Sequence, residues 1–524
     1  VQDEIHGIPE RVYRRRWLTL GVLVLSLVLA VIGVSVINVA LPTFQRELGA
    51  SLTELQWIVD AYALAFGGLL LTMGAAGDRW GRRGALQIGL LIIGVSSGLA
   101  LGATTITQLI VLRSIMGVGA ALVMPATLSI LSVVFPPHER GKAFGIWAAF
   151  AGLGATLGPV VGGWLIDHND WSSIFGLNIP VVVLILLGSL IFVPSSRDTL
   201  RRPLDPVGAL LSIVGLGALL YGIIEGPSRG WDDPLTLAGL GIGLVACPLF
   251  YWWETRTKFP MLPMHYFRSR AFSMGNLTVG LTFFVMFAFF FVITQYLQLV
   301  RGYSAFDAGL RTLPISVGMM LSAPNSDRIA RRLGVPNAVT TGLIFIALSL
   351  LGMAFLTDQT PYLLIALAFF VMGLGMGAAM APSTTIIMDS VPRDKAGVGS
   401  AMNDTSREVG GALGIAVLGS ILNESYRRSL ELPPDLSPQV VERVRSGLGQ
   451  AYVAAQGLGP EGAAVVRAAR DAFMSGVGAA YAWGALVVVI TAILVRFFMP
   501  HRAAEHTRAP IVRPATAPAP APGK

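Results

Sequence analysis

The sequence is poor in charge: Asp, Glu, Lys and Arg make up 13% of its 524 residues, against roughly 25% in an ordinary soluble domain. So little charge argues against a water-soluble globule. Cysteine is nearly missing, and a single one, Cys247, excludes an intrachain disulfide and a cysteine-built zinc site. There is no nucleophile–base pair, metal cluster, cofactor loop or ATP-binding loop in a membrane-facing arrangement, so neither an enzyme nor a cofactor is expected. The strand-length alternation of a membrane barrel is also absent. A net charge of +8 does not imply nucleic acid here, because the basic residues lie in short clusters between apolar runs and form no single patch. No cleavable signal peptide is expected, since "RVYRRRW" precedes an apolar run too long for one.

What is present is apolar length. Hydrophobic residues make up 54% of the chain, and runs of about 20 residues recur along nearly all of it, each able to cross a bilayer as a helix. Lipid-exposed backbone must satisfy its own hydrogen bonds, which favours helices. The sixty glycines let such helices approach closely. The pattern predicts an all-α integral membrane protein with about 14 spans.

Lysine and arginine fall in alternate loops, among them Arg14–Arg16, Arg79 with Arg82 and Arg83, Arg140 with Lys142, Arg328 with Arg332, and Arg393 with Lys395. By the positive-inside rule these loops are cytoplasmic, and both termini with them. "GDRWGRRG" from Gly77 and "SDRIARRLG" from Ser326 share the spacing Asp-Arg-x-x-Arg-Arg. Their recurrence at equivalent topology predicts two homologous six-helix bundles, a plan known among transporters. The expected organisation is a cytoplasmic segment at 1–16, a first bundle at 17–202, two inserted spans within 203–260, and a second bundle at 261–499. The second bundle carries an extracytoplasmic connection at 423–472, and residues 500–524 form a Pro/Ala-rich disordered tail. "SPQVVERVRSGL" and "EGAAVVRAARDAFM" in the connection predict two short amphipathic helices, the first capped by Ser437.

Acids inside apolar runs are costly, at least ~2.5–3.5 kcal/mol each by insertion scales, so each needs a reason. Asp60 sits in "WIVDAYALAF". Arg113, in "LIVLRSIMGVGAA", lies at similar depth on another span. The two form an ion pair, or Asp60 is a titratable acid facing a cavity. A carboxyl that binds a proton and a cation with opposed affinities can exchange one for the other. "MNDTSREVGG" places Asp404 and Glu408 on one helix face, with Arg407 three residues from Asp404. Asp404 and Arg407 can neutralise each other, which leaves Glu408 near the midplane without a local partner. Asn38, Tyr62, Gln295, Gln298 and Asn403 are candidate cavity liners, while most of "FFVMFAFFFVITQY" (283–296) reads as lipid contact and core. In "GATLGPVVGGWL", Gly154, Gly158 and Gly162 recur at four-residue spacing beside Gly163, with Pro159 able to kink the span.

These stretches resemble the major facilitator superfamily. "GAAGDRWGRRGAL" (74–86) resembles its signature loop, "LIVLRSIMGVGAA" (109–121) its fourth-span motif, and "GATLGPVVGGWL" (154–165) the fifth-span motif of its antiporters. "LQLVRGYSAFDAGLRTLP" and "AGVGSAMNDTSREVGGALGIAVLGS" are similar to the branch of fourteen-span drug:proton antiporters, and "WIVDAY" to its exporters of quaternary ammonium compounds. The resemblance implies proton-gradient-driven export of small lipophilic cations across the inner membrane by a monomer. Asp60, Asp404, Glu408, Arg113 and Arg407 would bind proton or cation. Gly74, Asp78, Arg79, Gly81, Arg82, Arg83, Asp327 and Arg328, with the glycine face and Pro159, would govern gating. One departure stands out. The family's first-span acid has no counterpart in "VIGVSVINVALP", where its place is Gly33, and no Asp or Glu occurs from Arg11 to Gln45. Asp60, Asp404 or Glu408 would then carry the proton, or coupling would be reduced or absent. Export of an endogenous lipid, siderophore or antibiotic, and a non-transporting receptor, are the alternatives.

Overall fold

A computed structural model describes residues 4–5, 8–196, 205–260, 262, 264–391 and 396–500. The expected tail, and Arg393 and Lys395, lie outside the described residues, as do the side chains of Asp78, Asp327, Arg140 and Lys142. The first half is built from α1 (Glu10–Glu47), α2 (Leu52–Trp80), α3 (Arg82–Ala100), α4 (Ile106–Val134), α5 (Pro137–His168), the single turn α6 (Ser173–Gly176) and α7 (Asn178–Phe192). A helical pair follows, α8 (Pro206–Arg229) and α9 (Pro234–Arg256). The second half comprises α10 (Arg270–Gln295), α11 (Ala305–Arg311), α12 (Leu313–Ser322), α13 (Ser326–Leu333), α14 (Val335–Ala354), α15 (Tyr362–Asp389), α16 (Ala396–Ser429), α17 (Pro438–Arg445), α18 (Leu448–Ala455) and α19 (Gly462–Phe498). Among the described residues the strand content is a two-rung antiparallel pairing of Glu4–Ile5 with Ile8–Pro9, which composition did not foretell. Ten of these helical segments are long and apolar enough to cross a membrane.

Local signals start and stop the helices. Ser51 with Glu54 and Thr105 with Gln108 close capping boxes at the starts of α2 and α4, each satisfying orphan N–H groups. Gly81 (φ 128°) ends α2 and Gly334 (φ 84°) ends α13, a backbone region that residues with a Cβ avoid. The two Asp-Arg-x-x-Arg-Arg copies therefore differ locally. Ala330 stands where Gly81 breaks the first copy, and the helix runs through Arg332 before Gly334 stops it. The apolar stretch from Ala305 to Ser322 is broken at Thr312, next to Pro314, whose nitrogen cannot donate into a continuous helix.

The pairing pattern repeats between halves. α1 packs on α5 as α10 packs on α16, α2 on α4 as α12 on α15, and α3 on α4 as α14 on α15. α8 and α9 pair with each other, and α8 leans on both α2 and α16. Large apolar side chains such as Leu363 (78% exposed), Leu244 and Leu187 point outward, as a lipid-facing surface requires and a water-facing one resists. Helices run into both ends of the expected connection: α16 continues to Ser429 and α19 begins at Gly462. α17 is the first expected outer helix, capped by Ser437 through Val440 N. The second is no separate helix but the first turns of α19, whose apolar stripe continues unbroken into the span. α18 was not expected. It fits against α1, where Gly449 N donates to Gln45 Oε1 (3.2 Å) and Gln450 bonds the Gln45 carbonyl.

Candidate functional site

The halves meet along α2 and α16. Gln56 Nε2 donates to the carbonyls of Ile415 (3.0 Å) and Ala416 (3.3 Å), and Asn423 Nδ2 donates to Thr53 Oγ1 (3.3 Å). Two turns beyond Asp60, a Cβ on Gly67 would lie 3.0 Å from Cβ of Glu408. The helices are thus antiparallel and in close contact. Their register sets Asp60 against Ala412 and Ala416, both 0% exposed, and Glu408 roughly 10 Å deeper along the seam. Asp60 is itself 0% exposed, and neither carboxyl oxygen has a hydrogen-bond partner.

Arg113 does not pair with Asp60. Its Nε donates to the Ile58 carbonyl (3.2 Å) and its Nη1 to the Gly33 carbonyl (3.0 Å). The guanidinium carbon sits 4.4 Å from the centre of the Tyr62 ring, a cation–π arrangement. Similar depth on neighbouring helices was legible in the sequence. Side-chain direction was not, and the arginine reaches back toward α1.

On α16, Arg407 Nη1 lies 3.5 Å from Asp404 Oδ1 and its guanidinium covers the Phe283 ring at 4.5 Å. Glu408 lies half-buried with Oε2 unpartnered. Asn403 accepts from Thr384 Oγ1 (3.3 Å) and ties α16 to α15. Of the other candidate liners, Gln295 bonds its own helix through the Phe291 carbonyl (2.9 Å). Asn38 Nδ2 contacts the Val34 carbonyl at 3.5 Å, leaving Oδ1 buried and unpartnered. Gln298 occupies a π-helical turn over Tyr296–Val300 and donates across the halves to the Val39 carbonyl (2.8 Å). It ties the two halves together through Nε2, while its Oε1 is buried and unpartnered.

The glycine face of α5 serves two neighbours. Gly154, Gly158 and Gly162 pack against Val31, Ser35 and Val36 of α1, within one half. Gly163 and Pro159 meet α11 of the other half: a Cβ on Gly163 would lie 2.6 Å from Phe306 Cα, and Gly309 abuts the Pro159 carbonyl. One turn on, Asp167 accepts from Ala305 N (3.1 Å) and Phe306 N (3.0 Å), capping α11 from the opposite half. The 77–84 loop makes its described contacts within one half. Gly74 packs on Pro125, Arg82 N donates to the Ser196 carbonyl and Arg83 Nη1 to the Val193 carbonyl (3.4 Å). Arg79 and Arg328 are exposed.

Sequence reasoning missed Gln56, Asp167 and Glu225. Gln56 lies one turn before Asp60 on the same face, and Asp167 extends the glycine spacing by one turn, so both were open to periodicity. Glu225 on α8 accepts from Trp57 Nε1 (3.1 Å) and pairs with Arg229 (2.9 Å). Only packing reveals that contact.

The comparisons with known proteins agree with this architecture. A family profile described as "Major Facilitator Superfamily" matches residues 23–415. The "Multidrug efflux pump LfrA" of Mycolicibacterium smegmatis is 33% identical over 94% of this chain and 98% of its own length. The "Methyl viologen resistance protein SmvA" of Salmonella typhimurium is 33% identical over 88% of this chain and 93% of its own. Among solved structures, a bacterial homologue of the human lysosomal transporter Spinster superposes with a TM-score of 0.65 at 17% identity, covering 93% of this chain and 98% of that one. Fold, packing and sequence thus agree that the chain belongs to the major facilitator superfamily and is a multi-pass membrane protein.

Proposed function

We propose that the protein is a proton-coupled multidrug efflux antiporter that exports lipophilic cations by alternating access between its two halves. It works as a monomer of fourteen spans in the inner membrane, with both termini cytoplasmic, and draws on the proton gradient with no cofactor. The names of the relatives support drug export, and one of them specifies resistance to methyl viologen, an organic dication. The observation that carries the coupling is Asp60, enclosed in the α2–α16 seam with neither oxygen partnered.

An ionised carboxylate enclosed without donors or counter-charge is strongly unfavourable. The seam therefore closes on the neutral acid. With the basic loops read as cytoplasmic, the closed end is the outer one; a proton taken up there permits closure, and its loss from Asp60 favours reopening. Glu408 and Asp404, deeper on the same α16 face, hold the cation. The Phe283 ring and the aromatic stretch of α10 offer π faces to it. Arg407, already beside Asp404, competes with cargo for that carboxylate, yielding it when the cation binds and recapturing it when the cation leaves.

The test is proton-gradient-driven ethidium transport in everted vesicles, with Asp60→Asn, Asp404→Asn and Glu408→Gln made separately and together. Each is expected to lower coupled transport, and the triple variant to abolish it. Unchanged transport in the triple variant would remove the acids from the mechanism. Cation flux that ignores the proton gradient in the parent protein would instead favour an uncoupled carrier.

A further inference from the structure

Arg113 presents a second problem, separate from transport. It is 2% exposed, its Nη2 has no hydrogen-bond partner, and its two bonded nitrogens reach only neutral carbonyls. Arg113 lines a cavity of about 20 Å³ together with Gly33, Tyr62, Met116, Phe175 and Asn178 among others, with no acid in the lining. Asn178 is already committed, donating to Ser97 Oγ (3.0 Å). On α1, a Cβ at Gly33 would meet nothing within 4 Å. A permanently charged guanidinium thus faces a small void, and no carboxylate among the described residues pairs with it. A void of this size holds one water-sized occupant. Water fills space and accepts a hydrogen bond, but it does not balance charge.

We propose that the cavity between Gly33 and Arg113 binds one small monovalent anion, a halide, which supplies the counter-charge that α1 lacks. The anion accepts from Arg113 Nη2, in charge-assisted hydrogen bonding, and the apolar walls of Met116 and Phe175 exclude larger hydrated anions. The site is structural: it steadies the α1–α2–α4 contact that Arg113 spans.

Because the site is saturable and specific to the folded protein, halide raises thermal stability by mass action. The purified full-length protein in detergent is titrated with sodium chloride or bromide replacing sodium gluconate at constant ionic strength. The unfolding midpoint is expected to rise saturably with either halide. Gly33→Asp places a carboxylate in the open space beside Arg113, and its midpoint is expected to be halide-independent and higher in gluconate than that of the parent. A bromide-soaked crystal is expected to show an anomalous peak within hydrogen-bond distance of Arg113 Nη2. A parent midpoint indifferent to halide, a halide response retained in Gly33→Asp, or no bromide peak at Arg113 would each overturn the proposal. The bromide measurement needs no variant to fold, and none of these readouts depends on transport, so failure here is distinct from failure of the antiport reading.

Discussion

Asp60→Asn tests the part of the proposed coupling that rests on the α2–α16 seam. Asparagine keeps the shape of the neutral acid and can never ionise. In the parent, ionised Asp60 in the closed seam meets no donor, since the Gln56 amide nitrogen one turn away is spent on the Ile415 and Ala416 carbonyls. If burial costs what insertion scales give, ~2.5–3.5 kcal/mol, ionisation shifts the equilibrium between closed and open seam by roughly 70- to 400-fold. The sign is fixed. If the seam closes only on the neutral acid, as proposed, closure should be favoured at acidic pH and weakened as the buffer is made alkaline. The assay is a distance measurement between spin labels at Asp170 and Gln359, both exposed on opposite halves at this end, introduced as cysteines with Cys247→Ser. The parent should show a short-distance population that shrinks as the buffer is made alkaline. Asp60→Asn should hold the short distance throughout. A variant whose distance distribution still follows pH like the parent would refute the reasoning, because some other group would then be setting the seam.

Two further outcomes follow from the same interface. Gly163→Ala puts a methyl 2.6 Å from Phe306 Cα. Overpacking of that kind typically costs ~1–3 kcal/mol, so closure should weaken about 5- to 150-fold and efflux should fall steeply while the gel-filtration profile stays normal. Asp167→Ala removes both bonds that cap α11 from the opposite half. At ~0.5–2 kcal/mol for a lost cap, the label distance should shift toward the open form, and Asp167→Asn should restore part of the closed population.

The membrane fold was legible because its cause is local. Each apolar run of bilayer length must be helical for want of water to satisfy its backbone, and capping residues such as Ser51 and Thr105 mark where helices start. The broken span at Thr312 and the fused start of α19 were not legible, since a proline's effect and a stripe's continuity depend on neighbours. The glycine face of α5 was readable as a face. Which glycines touch α1 and which touch α11 follows only from where the two halves lie.

By itself the sequence determined that charged residues stand inside apolar helices, that no acid occurs from Arg11 to Gln45, and which side chains share a turn. The tertiary structure alone decided their partners. Arg113 turned to the carbonyls of Gly33 and Ile58, and Asp60 was left to a seam between halves. Depth along a helix follows from counting residues. The direction of a side chain and the identity of its neighbour depend on how helices distant in sequence rotate and pack against one another.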